Sequence, residues 1–492
     1  MSGTLVKGKS HGLDLTQGRV PTLLLRFAWP FLVSGLISAL YGVADTFVIG
    51  KYGSEAAISG VGTATQVLNF VYTATIGIGT GGTVLIGRKI GERDDKGAAK
   101  AVGSFMTIGA ILMVVLTAFI FFMRDPLIAI MKAPADSVAH AVTYVNITVI
   151  GVPFLIGFNF ISAIQRGMGN SKNPSIVGAI GCFTNIILDF VFAGGLGMGA
   201  FGVALATVIA QAVTFIVIGG MLLKNKFPFA FTKKDFRLHK PSVSAVFRVG
   251  IPLWAQEIVV HISFMIIQGV VNNMGTDASA SVTLISKVFN IGGMFPLAIG
   301  SAIAAMSAQN LGAGRRDRAL SALKWGILYS LIIEVVFCAW CQIAPSTITS
   351  QLAPGKEGVI LGAASYLRAF SIDLVLIGLV FPINSFLSGL GKAFVTMTHS
   401  LASTFLVRVP LSLLFSRIAG DLNTKLYFVG LAAPIASVLS LIICFVYITV
   451  YFRRLERTEE RLPVPAEAAP SATAEPTAEA LPVAAAQAST SD

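Results

Sequence analysis

The chain has 492 residues, 54% of them hydrophobic and only 12% charged, with a formal net charge of +12. Soluble domains carry about 25% charge, so this composition excludes a water-soluble globular enzyme and points to an all-α polytopic membrane protein embedded in a lipid bilayer. The basic residues fall mostly between apolar runs, where topology accounts for them better than nucleic acid does, and no nucleic-acid partner is expected.

Twelve apolar runs are long enough to cross a bilayer, which takes about 20 residues. The first six are 23–49, 58–86, 102–123, 142–163, 174–192 and 201–223; the second six are 243–273, 282–311, 319–343, 359–387, 394–415 and 426–451. Span 1 carries Pro30, which removes a backbone donor and invites a kink, and Asp45, an acid costing about 3 kcal/mol at a helix centre. GIGTGG at 77–82 in span 2 has the letters of a nucleotide-binding fingerprint, but no strand precedes it, so its small residues read as a close helix-packing stripe. The four cysteines lie in apolar runs. Cys338 and Cys341 form a C-x-x-C without partner histidines, and read as buried small residues rather than a metal or redox site. The five histidines show no ligand spacing and no Walker A sequence is present. The chain therefore reads as a transporter rather than an enzyme, with no cofactor.

The spans repeat. Pro30 and Pro252 stand 222 residues apart, as do Arg26 and Arg248, Gly53 and Gly275, and Gly169 and Gly391. IGRKIGERDDKGAAKA after span 2 answers SAQNLGAGRRDRALSA after span 8. Six spans per half is an even number, so the two six-helix lobes share one orientation and are expected to be related by a pseudo-twofold axis along the membrane normal. The expected organisation is an N-terminal arm (1–20), an N-lobe (21–223), a basic linker (224–242), a C-lobe (243–455) and a disordered tail (456–492). With the N-terminus inside, inner segments hold 24 of the 36 Lys and Arg residues, outer loops 6 and spans 6. This bias places both termini in the cytoplasm.

Five acids fall inside spans: Asp45, Asp189, Glu257, Glu334 and Asp373. Asp45 and Asp189 lie near the outer ends of spans 1 and 5, and Thr207 lies near the outer start of span 6. Asn185 shares a helix face with Asp189 four residues on. At about 1.5 Å per residue all four groups sit within about 10 Å of the outer surface. Two carboxylates, an amide and a hydroxyl suit a hard cation such as Na⁺, and two close carboxylates equally suit a proton. Separate interfacial acids that never meet are the plainer alternative. The repeat positions in the C-lobe are Ile267, Val407 and Leu411, so the set belongs to one lobe. Glu257 and Asp373 are candidates for a C-lobe cavity, or else neutralise buried bases such as Arg368, Arg408 or His261; Glu334 is the weakest of the five candidates.

The segment with Pro30 and VADTFVIG, the loop QRGMGNSKNP, and NIILDFVFAGGLGMGAFGVALATVIAQ on spans 5 and 6 resemble the multidrug and toxic compound extrusion family. The resemblance covers roughly residues 15–455. It implies a cation-coupled antiporter of twelve spans that exports amphipathic organic cations in exchange for H⁺ or Na⁺ by alternating access, as a monomer in a prokaryotic inner membrane, with small drug-like molecules as substrates. It places the family's N-lobe cation site on Asp45, Asn185, Asp189 and Thr207, and makes Pro30 a hinge. Another branch uses carboxylates on span 7 and at the end of span 10. Here Glu257 lies about one turn closer to Pro252, and GLGKAF stands where that branch has an acid. A flippase for lipid-linked saccharides, of the same broad superfamily, is the alternative; it wants basic cavity residues, for which Arg368 and Arg408 stand, but the acid set argues against it.

The orientation is directly testable: Lys234 is expected to react with an impermeant amine reagent only from the cytoplasmic side, and labelling in intact cells overturns the assignment.

Overall fold

The computed structural model describes residues 12–52, 54–131, 135–224 and 227–459, with the side chains of 39–47, 49, 50, 55, 452 and 454–459 excluded. Twelve helices are long and apolar enough to cross a membrane, and no strand occurs among the described residues. The backbone hydrogen bonds are thus satisfied within helices, as a lipid environment demands.

The first half runs α1 (Val20–Tyr52), α2 (Glu55–Gly91), α3 (Asp95–Ile130), α4 (Ala135–Gly167), α5 (Lys172–Asp189) and α6 (Gly199–Lys224). The α1 helix is continuous through Pro30. Turn chemistry defines the starts. Ser54 Oγ accepts from the Ala57 N–H at 3.1 Å, and Asp94 Oδ1 accepts from the Gly97 N–H at 2.8 Å. Each satisfies a donor that a helix start leaves orphaned. The second half runs α7 (Lys240–Asn272), α8 (Thr276–Gly312), α9 (Arg316–Ile343), a short α10 (Pro345–Leu352), α11 (Glu357–Phe370), α12 (Ile372–Gly389), α13 (Ala393–Ser403), α14 (Val409–Phe415) and α15 (Leu422–Glu459). Residues 460–492, where most of the expected tail falls, and residues 1–11 of the arm lie outside the described residues.

Three features depart from uniform spans. The tenth apolar run is interrupted at Ser371. There Gln342 of α9 donates through Nε2 to the Arg368 carbonyl at 2.6 Å and to Ser371 Oγ at 3.0 Å, so a neighbouring helix satisfies the carbonyl freed at the break. The fifth span of each half contains a π turn, Phe190–Gly195 after α5 and Thr404–Arg408 between α13 and α14. In addition, α10 is a helix within what reads in sequence as a plain loop.

The halves meet through glycine. A Cβ on Gly91 of α2 would lie 2.0 Å from the Gln309 carbonyl oxygen, and a Cβ on Gly312 of α8 would lie 2.1 Å from that of Arg88. Gly91 and Gly312 are repeat mates 221 residues apart, and so are Arg88 and Gln309. The contact is therefore reciprocal, as a twofold axis requires. The GIGTGG stripe extends it along α7. A Cβ on Gly77 would lie 2.9 Å from the Trp254 nitrogen, and one on Gly81 would lie 2.3 Å from the Val246 carbonyl oxygen. Small residues admit backbone-to-backbone approach where lipid supplies no hydrophobic drive for helices to associate. All these approaches lie in the part of the bundle nearer the start of α1, the N-terminal face.

The linker before α7 docks on the first half. Ser104 Oγ of α3 donates to the Arg237 carbonyl at 2.8 Å and accepts from the His239 N–H at 3.1 Å. Phe227, Phe229 and Phe231 form an aromatic cluster, with Phe229 buried in the first-half core. Hydrogen bonds from the Thr232 backbone and hydroxyl hold the Asp235 carboxyl below the usual carboxylate range.

Within the first half, Phe105 of α3 stacks on Phe160 of α4 with ring centroids 4.4 Å apart. A Cβ on Gly82 would meet the Phe105 ring at 2.3 Å. Gly82→Val is therefore expected to displace that stack and destabilise the protein by about 1–3 kcal/mol, read as a lowered melting temperature in detergent.

Candidate functional site

Helix α1 packs along α5 and reaches both α6 and the π turn that follows Asp189, so spans 1, 5 and 6 are neighbours. Asn185 and Asp189, one helical turn apart on α5, are both buried. With the Asn185 amide oriented so that both ends are satisfied, Nδ2 donates to Asp189 Oδ2 at 3.3 Å and Oδ1 accepts from the Thr207 backbone N–H at 3.2 Å. The Thr207 hydroxyl, half-buried on α6, donates to the Val203 carbonyl at 3.0 Å and keeps its lone pairs available on the Asn185 side. Three of the four predicted groups thus meet where α5 packs on α6 in the first half. Asp45 stands on α1, but its side chain lies outside the described residues.

The π turn begins at the residue after Asp189. Such a turn widens the helix by one residue and is frequent at functional positions. It places the carboxylate at the junction of two helical windings, a feature that apolar patterning does not announce.

The C-lobe candidates are arranged differently. Glu257 is half-buried on α7; Asp373 is buried just after the Ser371 break. Helix α7 packs on α8, α13 and α14, whereas α12 packs on α8, α9 and α13, so the two acids stand on helices without extensive mutual packing. Arg408, at the end of the second π turn, lies over the Phe264 ring of α7, 4.1 Å from its centroid. This cation–π contact gives the half-buried guanidinium a partner. Among the described residues no three His, Cys, Asp or Glu side chains cluster as metal ligands.

Glu334 of α9 is fully buried, and both its carboxylate oxygens lack a hydrogen-bond partner, as does Ser330 Oγ one turn before it. Its stem packs on Gly378 of α12, where an added Cβ would lie 3.1 Å from Glu334 Cγ.

Two repeated six-helix lobes with polar groups sealed inside an apolar bundle define a polytopic membrane transporter of internally duplicated type. The family model MatE matches residues 30–191 and again 252–414, and the chain belongs to this family, whose members are transporters and not enzymes. The two matches begin 222 residues apart, the same offset as Pro30 and Pro252. Among curated relatives, the chain is 25% identical to the probable multidrug resistance protein YpnP of Bacillus subtilis (strain 168), over 83% of this chain and 91% of that one. It is 23% identical to the multidrug export protein MepA of Staphylococcus aureus (strain MRSA252), over 75% and 81%. Among solved structures it superposes with a TM-score of 0.84 on an outward-facing multidrug resistance MATE family transporter of the MOP superfamily (23% identity; 91% of this chain, 99% of that one). It superposes equally on a MOP superfamily transporter from Pyrococcus furiosus Vc1 (DSM3638), at 22% identity over 91% and 99%. These superpositions establish the fold.

Replacing a buried, unpartnered acid by an apolar residue of similar volume is neutral or stabilising. Glu334→Leu is accordingly expected to lose no stability and to gain up to about 4 kcal/mol, measured by thermal unfolding; a clear fall in melting temperature identifies an unrecognised partner.

Proposed function

We propose that this protein exports amphipathic organic cations across a prokaryotic inner membrane, by alternating access, in exchange for H⁺ or Na⁺. The N-terminal face is cytoplasmic on this reading, in keeping with the basic-residue bias. The observation that carries it is the buried linkage Asp189–Asn185–Thr207 across α5 and α6, beside the helix that bears Asp45. An acid retained in a span, hydrogen-bonded and facing protein, is by default an ion site. Asp45 and Asp189 would share the titrating or coordinating role, with Asn185 and Thr207 as neutral oxygen ligands. Loading this pocket changes the charge that α5 and α6 present to α1, and bending of α1 at Pro30 would carry that change to the path between lobes. Substrate and coupling ion must favour different conformers, since an ion with no preference shifts nothing. The names of the relatives, multidrug resistance and multidrug export proteins, support the substrate class.

Asp189→Asn and Asp45→Asn keep shape and cannot titrate. Each is expected to abolish drug antiport in proteoliposomes while leaving the melting temperature within a few degrees. Asn185→Ala should weaken Na⁺-driven antiport at least tenfold and H⁺-driven antiport less, because a proton does not need the amide oxygen. Full activity in the Asp45→Asn, Asp189→Asn double mutant refutes the site and returns attention to Glu257 and Asp373. Rescue of a saccharide-lipid flippase defect, with no drug resistance, refutes the substrate class.

A further inference from the structure

Residues 12–19 do not hang free before α1. They form a strap across the N-terminal face, tied to both halves of the molecule. Asp14 shapes it: Oδ1 accepts from the Thr16 N–H at 2.9 Å and the Thr16 hydroxyl at 2.6 Å. Leu15, next to this turn, is fully buried.

The attachments divide by half. To the first half, the Leu13 N–H donates to the Gly169 carbonyl at 2.9 Å, in the turn between α4 and α5. That turn requires glycine: Gly169 has φ +83°, and a Cβ there would lie 2.2 Å from the Leu13 carbonyl oxygen. To the second half, the Leu15 N–H donates to Gln309 Oε1 at 3.3 Å and its carbonyl accepts from Asn310 Nδ2 at 3.0 Å. Arg315 Nη1 donates to the Thr16 carbonyl at 2.7 Å, and Arg318 Nη1 to the Gly18 carbonyl at 2.9 Å. Gln309 also crosses directly to the first half, donating through Nε2 to the Gly167 carbonyl at 2.8 Å. Gln309 and Asn310 are both buried. Every one of these contacts surrounds the reciprocal Gly91–Gly312 approach of α2 and α8.

We propose that this strap, with Gln309 as its keystone, is the latch that holds the N-terminal face shut, and that it must release in each transport cycle before that face opens. The proposal rests on the alternating-access reading above, with the N-terminal face cytoplasmic. A bridge bonded to both halves opposes their separation by the sum of the bonds that must break. Four hydrogen bonds tie the strap to the second half, and Gln309–Gly167 crosses directly; Leu13–Gly169 and the covalent continuation into α1 hold the strap to the first half. Because the strap runs on covalently into α1, it stays with the first half: opening breaks the Leu15, Thr16 and Gly18 bonds to α8 and α9 together with Gln309–Gly167, while Leu13 stays on the α4–α5 turn. At about 1 kcal/mol per hydrogen bond, losing both Gln309 bonds shifts the closed-to-open ratio on the order of tenfold. The corresponding segment of the second half, the linker before α7, docks on α3 of the opposite half, so the crossing arrangement recurs without a bridging glutamine there.

The test uses the full chain in lipid, with its four cysteines replaced by serine and spin labels on Lys96→Cys and Asp317→Cys, at the exposed starts of α3 and α9. The expected result is a short inter-half distance without Gln309→Ala and an approximately tenfold larger long-distance population with it. Arg315→Ala, on the surface, covers the case in which Gln309→Ala fails to fold, and should shift the population in the same direction by less. Hydrogen exchange in the cysteine-intact protein supplies the second readout: the Leu15 amide should exchange faster than the Leu13 amide. Unchanged distances in both variants, or Leu15 exchanging no faster than Leu13, overturn the latch. A wild-type protein that opens and closes in these measurements yet shows no antiport overturns the transport reading and leaves the latch standing.

Discussion

The reciprocal approach of α2 and α8 at Gly91 and Gly312 is the constraint around which the rest of the molecule is arranged. Backbone carbonyls of Arg88 and Gln309 sit where a Cβ would be, so no other residue type permits the contact without displacement. Because both members are repeat mates, the contact lies on the pseudo-twofold and each half grips the other in the same way. Helices α2 and α8 are each 37 residues long and end on this face, which brings their last turns, with the loops that follow, beside the α4–α5 turn and the strap.

The duplicated scaffold carries unequal chemistry. The first half places Asn185 and Asp189 on α5 facing Thr207; the second places Val407 and Leu411 at the matching positions, and its own π turn ends in Arg408 against Phe264. A duplicated fold thus supplies two equivalent frames, and a few side chains decide which frame holds an acid–amide set and which holds a packed guanidinium. Fold similarity to transporters of 22–23% identity carries the architecture and leaves that distinction to the residues.

Polar groups in this bundle also do structural work. Gln342 satisfies the carbonyl released where the tenth span breaks, and Gln309 satisfies one carbonyl and one N–H that belong to different segments. In a low-dielectric interior, unpaired backbone groups are costly, so a single amide side chain with one donor end and one acceptor end joins two segments at little expense. Glu334 and Gln165 are exceptions, each buried with both side-chain polar ends unpaired.

The twelve spans, the all-α class, the duplication at an offset of 222 and the restriction of Asp45, Asn185 and Asp189 to one half were all legible in the order of residues, because hydropathy period and repeat spacing are properties of the chain itself. Position along each helix was equally legible, since it follows from counting residues. Lateral contact was not: nothing along the chain states which helix lies beside which, and only packing decided that α1, α5 and α6 are neighbours while α7 and α12 are not. The break at Ser371 and the two π turns were invisible for a related reason, because apolar composition is the same on either side of a change in winding. The strap was the furthest from view. Gly-Leu-Asp-Leu-Thr reads as a polar arm, and its role depends on Gln309, 294 residues away from Leu15, whose donor and acceptor acquire partners only when the two halves close.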